Sequence, residues 1–89
     1  MKKAKTKTKV KTKAKKKLPT HPIDIRVGER IRELRLLREM TQTELAKQVG
    51  VRFQQVQKYE TGLNRVAASR LHMIAEALDV KVGELFEEG

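Results

Sequence analysis

The sequence predicts an all-α protein, in which a compact unit of five helices at residues 23–89 follows a disordered, lysine-rich tail and linker at residues 1–22. Apolar residues recur three and four positions apart, which is the spacing of amphipathic helices. No segment shows the strict alternation of a half-buried strand. A chain of 89 residues has room for one small domain and a tail. The core is expected to be aliphatic, because the only aromatic residues are Phe53, Tyr59 and Phe86.

The positive charge is concentrated in the N-terminal tail. Residues 2–17 hold ten lysines and no acidic residue, whereas residues 18–89 hold eleven basic and eleven acidic side chains, so the formal net charge of +10 belongs to the tail. Like charges repel and little apolar surface is available for burial, so the tail is expected to be disordered when free. Its lysines either increase solubility or add phosphate contacts, and the two roles are compatible.

The linker and the first helix are predicted from prolines and from apolar spacing. Two prolines oppose helix formation in the segment LPTHP at residues 18–22, which is therefore predicted to be a linker. The first helix is expected to run from about Asp24, as its cap, to about Glu39. Its inward stripe, with Leu37 beside it, is predicted to hold Val27, Ile31, Leu34 and Arg38.

Two short helices joined by a turn follow the first helix. Thr41 and Glu44 form a T-x-x-E capping box, which predicts the start of the second helix. Ala46 is small enough for a close helix crossing, and Gly50 suits a sharp turn with positive φ. The inner faces of these two helices are predicted to hold Leu45, Val49, Val51, Val56 and Tyr59.

The third helix is predicted from about Phe53 to Thr61, ending at Gly62, and its outward face is polar and rich in amides. A hydrophobic core cannot use such a face, whereas a DNA major groove can. A fourth helix is predicted at about residues 67–78 and a short fifth helix at about residues 82–86. The outward residues of the third helix are Arg52, Phe53, Gln54, Gln57, Lys58 and Thr61.

Several functional classes are not supported by the sequence. Cysteine is absent, so neither a disulfide nor a thiolate metal site is expected, and the cytosol, at the nucleoid, is the natural location. No apolar run reaches the roughly 18–20 residues of a membrane span, and none follows the basic N-terminus as in a secretory signal. His21 and His72 lack metal-ligand spacing, and Ser69 lacks a base partner. An enzyme, a metal, a cofactor and a membrane partner are therefore not expected.

Four stretches of the sequence carry a resemblance to a known family: VGERIRELR, MTQTELAKQVGV, QQVQKYETG and LDVKVGELF. From about residue 23 to residue 86, the chain resembles the Cro/phage-repressor (XRE-like) helix-turn-helix domains of bacterial and phage regulators. It resembles most a bacterial subgroup of small transcriptional regulators that carries FQQVQKYE followed by G-x-N-R.

The resemblance implies a five-helix, lambda-repressor-like fold and a regulatory function. Such proteins bind double-stranded operator DNA as symmetric homodimers, with the third helix in the major groove. A repressor or autoregulator at an inverted-repeat operator is therefore expected. No ligand-binding or protease domain follows in this chain, so sensing of a small-molecule ligand is not expected.

The resemblance also places base-reading side chains on the third helix. Gln54 resembles a base reader, because a glutamine amide can pair with adenine N6 and N7 and discriminate by about 1–3 kcal/mol. Lys58 can reach guanine or a phosphate, and Gln57 can contact either. Phe53 can contact a thymine methyl group or fold back over the turn. Arg52 stands where the family commonly has a capping Ser or Thr, so a looser helix start and a phosphate or guanine contact are expected.

Phosphate contacts are implied beside this face. Gln42 begins the second helix, where the helix dipole and free backbone N–H groups favour an anion; a solvated polar residue is the alternative. The loop after the third helix and the next helix are expected to touch the sugar-phosphate backbone, which fixes register without reading sequence. The implied phosphate-binding residues are Gln42, Thr61, Asn64, Arg65 and Arg70.

Two structural roles complete the implied site. By resemblance, Arg35 and Glu60 form a partly buried ion pair between the first and third helices, and the alternative is two independent surface charges. Leu85 is expected in the core. Phe86 can belong to the core or to a dimer interface.

Two other functions share these features. An antitoxin with a small toxin partner has the same fold and also binds DNA, and a neighbouring toxin gene or a co-purifying small protein would identify it. In an architectural DNA binder, the lysine tail would dominate binding with weak sequence preference. Competition with random DNA would identify that case.

Overall fold

A computed structural model of the protein describes residues 21–87. Four α-helices and one 3₁₀ helix follow one another, and no strand occurs in this part of the chain. The elements are α1 (Pro22–Leu37), α2 (Gln42–Val49), α3 (Phe53–Thr61), α4 (Ala68–Leu78) and the 3₁₀ helix (Val82–Phe86). The all-α prediction is confirmed, and its fifth helix is a 3₁₀ helix. The disorder predicted for the lysine tail lies outside the described residues.

The start of α1 differs from the prediction. His21 is the N-cap, and its Nδ1 accepts a hydrogen bond from the Ile23 backbone N–H at 3.0 Å. Pro22 begins the helix instead of ending a linker, because the missing N–H of a proline costs nothing in the first turn. Asp24 is not the cap; it lies in the first turn, where its charge complements the helix dipole.

The helix-turn-helix unit formed by α2 and α3 follows the local sequence signals. The Thr41 hydroxyl oxygen accepts from the Glu44 N–H at 3.0 Å, and the Glu44 carboxylate accepts from the Thr41 N–H at 2.8 Å. The predicted capping box is therefore confirmed. Gly50 ends α2 with a φ of 81°, in the left-handed region predicted for the turn.

A single aliphatic core holds the helices together. The predicted inner-face residues of α2 and α3 are buried, except Val51, which is half-buried. Leu85 is fully buried, as expected, and Phe86 is exposed. The largest of the fully buried side chains are Ile31, Val49, Leu45, Val56, Ile74, Leu78 and Leu85.

The C-terminal end of α1 leaves the predicted inward stripe. Leu37 is 74% exposed, so its predicted place beside the core is wrong. Arg38 is exposed at the C-cap, and its guanidinium reaches the end of α4, donating from Nε to the Leu78 carbonyl oxygen at 2.8 Å. The helix ends at Leu37, two residues before the predicted end, and Glu39 adopts a left-handed φ of 57° directly after the cap.

The backbones of α1 and α3 touch at Gly28. A Cβ atom added to this buried glycine would overlap the Tyr59 carbonyl oxygen and lie 2.9 Å from the Glu60 carbonyl oxygen. Only a residue without a side chain allows this approach. The contact therefore sets the position of α3 against α1. None of the helices in residues 21–87 is both long and apolar enough to cross a membrane.

We predict that Gly28→Ala lowers the free energy of unfolding by about 1–3 kcal/mol, the usual cost of overpacking. Alanine is more stable than glycine within a helix by about 0.5–1 kcal/mol. A lower free energy of unfolding for the alanine variant would therefore be caused by the clash with the α3 backbone. Urea unfolding followed by circular dichroism measures it. Gly83→Ala is the control, because nothing lies within 4 Å of its added methyl group. Equal stability of the two variants would contradict the close approach.

Candidate nucleic-acid interface

One side of α3 is buried and the other is open to solvent. Val56, Tyr59 and Glu60 face inward. All six residues predicted for the outward face are exposed: Arg52, Phe53, Gln54, Gln57, Lys58 and Thr61. The helix therefore presents amides, cations and one aromatic ring together on a single surface.

An open cleft of about 550 Å³ lies beside this surface, where α1, α2 and α3 meet. Its lining brings together six residues of the predicted site and two others, Arg32 and Leu63. The lining residues are Arg32, Gln42, Gln54, Gln57, Lys58, Glu60, Thr61 and Leu63. A second hollow of about 440 Å³ adjoins it and places Arg52 beside Gln54 and Lys58. We refer to the first of these as the α1–α3 cleft.

A buried polar network closes the base of the α1–α3 cleft. Arg35 and Glu60 are only 7% and 6% exposed. The Arg35 guanidinium donates from Nε to Glu60 Oε2 at 2.7 Å and from Nη2 to Oε1 at 3.1 Å. Its Nη1 donates to the Met40 carbonyl oxygen at 2.7 Å. The two residues thus form a bidentate, desolvated pair, and they are not independent surface charges.

Gln42 is part of the same network. Its Nε2 donates to Glu60 Oε1 at 3.0 Å, so the side chain of the first residue of α2 is tied to the end of α3. A glutamine amide carries two N–H groups, so one N–H and the carbonyl oxygen remain for a ligand. The half-buried amide is thereby held at the edge of the cleft.

The arrangement makes the cleft positive, although the domain as a whole is balanced in charge. Glu60 is the only carboxylate among the lining residues, and its charge is neutralised by Arg35. Arg32 and Lys58 then leave an excess of positive charge at the mouth. Such a lining attracts anions, and phosphate groups in particular.

Arg32 was not predicted as a site residue. It lies three residues before Arg35, on the same face of α1, and that spacing is the signal that could have found it. The prediction for α1 was based on its apolar stripe, and Arg32 lies outside that stripe. The Arg32 side chain is exposed, and no hydrogen bond or ion pair joins it to any residue of the range 21–87.

The other predicted phosphate-binding residues lie outside the cleft or already have partners. The Thr61 hydroxyl donates to the Gln57 carbonyl oxygen at 3.0 Å. Arg65 pairs with Asp24 at 3.1 Å in an exposed ion pair. Arg70 donates from Nη1 to the Val49 carbonyl oxygen at 3.3 Å and so joins α4 to the end of α2. Asn64 is half-buried in the loop after α3. Their phosphate contacts stay predictions.

The start of α3 lacks the side-chain cap that a Ser or Thr would supply. Arg52 occupies the N-cap with extended backbone angles, and its side chain makes no capping hydrogen bond. The first turn closes through the Gln55 N–H, which donates to the Arg52 carbonyl oxygen at 2.9 Å. The Arg52 guanidinium is thus left on the surface. Phe53 is 42% exposed, so neither of its two predicted roles is decided.

The chain belongs to the helix-turn-helix family, whose model matches residues 31–85. It is 52% identical over 73 residues to a protein of Sinorhizobium medicae that is named as an uncharacterised HTH-type transcriptional regulator. That match covers 82% of this chain and 52% of the relative, so the chain spans about half the length of the curated relatives it matches.

Two solved structures share the fold. The restriction-modification controller protein C.AhdI of Aeromonas hydrophila superposes with a TM-score of 0.68 at 34% identity, covering 70% of this chain and 94% of that protein. The biofilm regulator SinR, solved in complex with DNA, superposes with a TM-score of 0.65 at 27% identity, covering 68% of this chain and 98% of that one. The XRE-like resemblance is therefore confirmed.

We predict that Glu60→Ala lowers the free energy of unfolding by about 3–5 kcal/mol, because it leaves the buried Arg35 guanidinium without its carboxylate. Chemical denaturation measures this change. Glu33→Ala is the matched control, since it removes a half-exposed carboxylate paired with Arg30 and should cost less than about 1 kcal/mol. A Glu60 variant as stable as the Glu33 variant would contradict the role of the network.

Proposed function

We propose that the chain is a sequence-specific, double-stranded DNA-binding transcriptional regulator that inserts α3 into the major groove. The exposed amide and lysine face of α3 beside the positive α1–α3 cleft is the observation that carries this proposal. The family membership and the DNA complex of SinR support it.

The diameter of α3 suits the groove. An α-helix with its side chains is about 10–12 Å across, and the major groove of B-DNA is about 12 Å wide and admits one α-helix. Gln54 and Lys58 lie one turn apart on the exposed side. In this pose Gln54 pairs with the edge of an adenine, and Lys58 reaches a guanine or a phosphate at the next step.

The cleft beside α3 would receive the DNA backbone. Gln42 keeps one N–H of its amide for a phosphate, while the other holds Glu60. Since Glu60 is tied to both α1 and α2, a phosphate bound at Gln42 would be fixed relative to the bases that α3 reads. Backbone contacts of this kind determine register.

Two copies of the chain would bind as a homodimer to an inverted repeat. Their α3 helices would then enter successive major grooves, with half-sites about 34–36 Å apart. Phe86, exposed next to the buried Leu85, is a candidate for the dimer interface. Occupation of an operator in this way suits a repressor or autoregulator.

Selection of bound sequences from a random duplex pool tests the proposal. We predict an enriched inverted repeat, and we predict that Gln54→Ala relaxes the preference at one position of each half-site. The loss of discrimination would be about 1–3 kcal/mol at that base pair. Gln48→Ala, an exposed glutamine of α2 outside the cleft, is the matched control and should leave the motif unchanged. Failure to enrich any motif would refute sequence-specific binding.

The lysine tail gives a separate prediction. If about half of its ten lysines contact phosphates, replacing all ten by glutamine lowers the slope of log K against log salt by about 4–5 per chain. Fluorescence anisotropy over a salt series measures the slope for the selected operator and for random DNA. Both affinities should fall alike, because phosphate contacts carry no sequence information. An unchanged slope would exclude the tail from binding.

A further inference from the structure

We propose that Arg32, on α1 outside the helix-turn-helix unit, is a phosphate-binding residue that anchors the DNA backbone at the α1–α3 cleft. The inference rests on the proposed DNA-binding function and deepens it. It assigns the anchoring role to a residue of the first helix that the sequence pattern did not identify. The ligand is one phosphodiester group of the strand that borders the groove occupied by α3.

The first observation is that Arg32 differs from its neighbouring arginines. Arg30 donates to the Glu84 carbonyl oxygen, Arg35 pairs with Glu60, and Arg38 donates to the Leu78 carbonyl oxygen. Arg26 is also engaged. Arg32 has no such partner among residues 21–87, and its side chain is exposed. It is therefore available to an external anion at no cost to the fold.

The second observation is its position. Arg32 lies one turn after Gly28, where the α1 and α3 backbones touch, and one turn before Arg35, which is bound to α3. These two contacts keep this face of α1 against the C-terminal half of α3. The guanidinium consequently lines the cleft together with Gln42 and Lys58.

The third observation is the chemistry of the cleft. The Glu60 carboxylate is already satisfied by the two donors of Arg35 and by the amide of Gln42. Arg32 is thus not needed to neutralise it. A planar guanidinium presents several N–H donors that match phosphate oxygens bidentately. α1 is not the helix that enters the groove, so its arginine meets the backbone and not the base edges.

Substitution of Arg32 in the full chain tests the inference. Arg32→Gln should weaken binding about tenfold on the operator and on random duplex alike. It should also lower the salt slope by about 1 for each subunit, without changing the thermal midpoint or the selected motif. Lys81→Gln removes one exposed positive charge from a separate hollow that Glu76, Asp79 and Glu84 also line and that shares no residue with the α1–α3 cleft, and it should leave both binding quantities nearly unchanged.

A methylphosphonate scan identifies the contacted group. Each operator phosphate is replaced in turn by a neutral methylphosphonate, and the affinities of the wild type and of Arg32→Gln are compared. One position in each half-site should weaken the wild type but not the variant. Arg32→Lys should retain the wild-type salt slope, because it keeps the positive charge. Its affinity should lie between those of the wild type and Arg32→Gln, because lysine lacks the bidentate donors of the guanidinium.

The outcomes separate the inference from the function on which it rests. If the wild type binds no duplex at low salt, the proposed function itself fails. If the wild type binds and Arg32→Gln behaves as Lys81→Gln does, Arg32 is not an anchor. If Arg32→Gln alters the selected motif, the residue reads bases, and the phosphate assignment is wrong.

Discussion

The arrangement of the domain depends on a single buried carboxylate. Glu60 accepts hydrogen bonds from Arg35 Nε and Nη2 and from Gln42 Nε2, at 2.7, 3.1 and 3.0 Å. A buried charge is tolerated only when it is paired and hydrogen-bonded. Because the three donors come from α1 and α2 while the acceptor sits on α3, only one relative placement of the three helices satisfies it. The aliphatic core supplies most of the driving force for folding but is non-directional, so the polar network selects the arrangement.

This constraint explains how a short helix without an N-terminal side-chain cap is held in place. α2 begins with a complete capping box, whereas α3 begins at Arg52 without a side-chain cap. A nine-residue helix is too short to be stable alone in water. α3 is held by packing at Gly28 and by the Glu60 network, both of which act on its inner side. Its outer side takes part in neither of these two contacts.

The sequence predicted those features that depend on neighbours along the chain. The capping box at Thr41 and the left-handed Gly50 are local patterns, and both were found where the pattern lies. Among the features made by distant segments, the Arg35–Glu60 pair was implied by the family resemblance, whereas others were missed. Gly28 looks like any helical glycine until α3 is placed against it. The end of α1 lies two residues before the predicted one, and Glu39, a residue with no special turn preference, takes the left-handed conformation there. Arg32 was overlooked because the sequence does not show which arginines are paired. Only the three-dimensional structure reveals that Arg32 has no partner among residues 21–87.

The two kinds of basic residue are used differently along the chain, and this difference explains how a nearly neutral domain obtains a positive cleft. The tail contains only lysine, whereas eight of the eleven basic residues after it are arginines. Arginine forks are suited to fixed geometry, and here three of them bind backbone carbonyl oxygens of other helices: Arg30 at Glu84 in the 3₁₀ helix, and Arg38 and Arg70 at Leu78 and Val49, the last residues of α4 and α2. Each of these guanidinium groups is held at its carbonyl oxygen, and none of the three arginines lines the α1–α3 cleft. The balance of acids and bases in the composition therefore does not describe the surface. What decides the potential at the cleft is that its one carboxylate is neutralised from within by Arg35, while Arg32 and Lys58 are not neutralised by any side chain of residues 21–87.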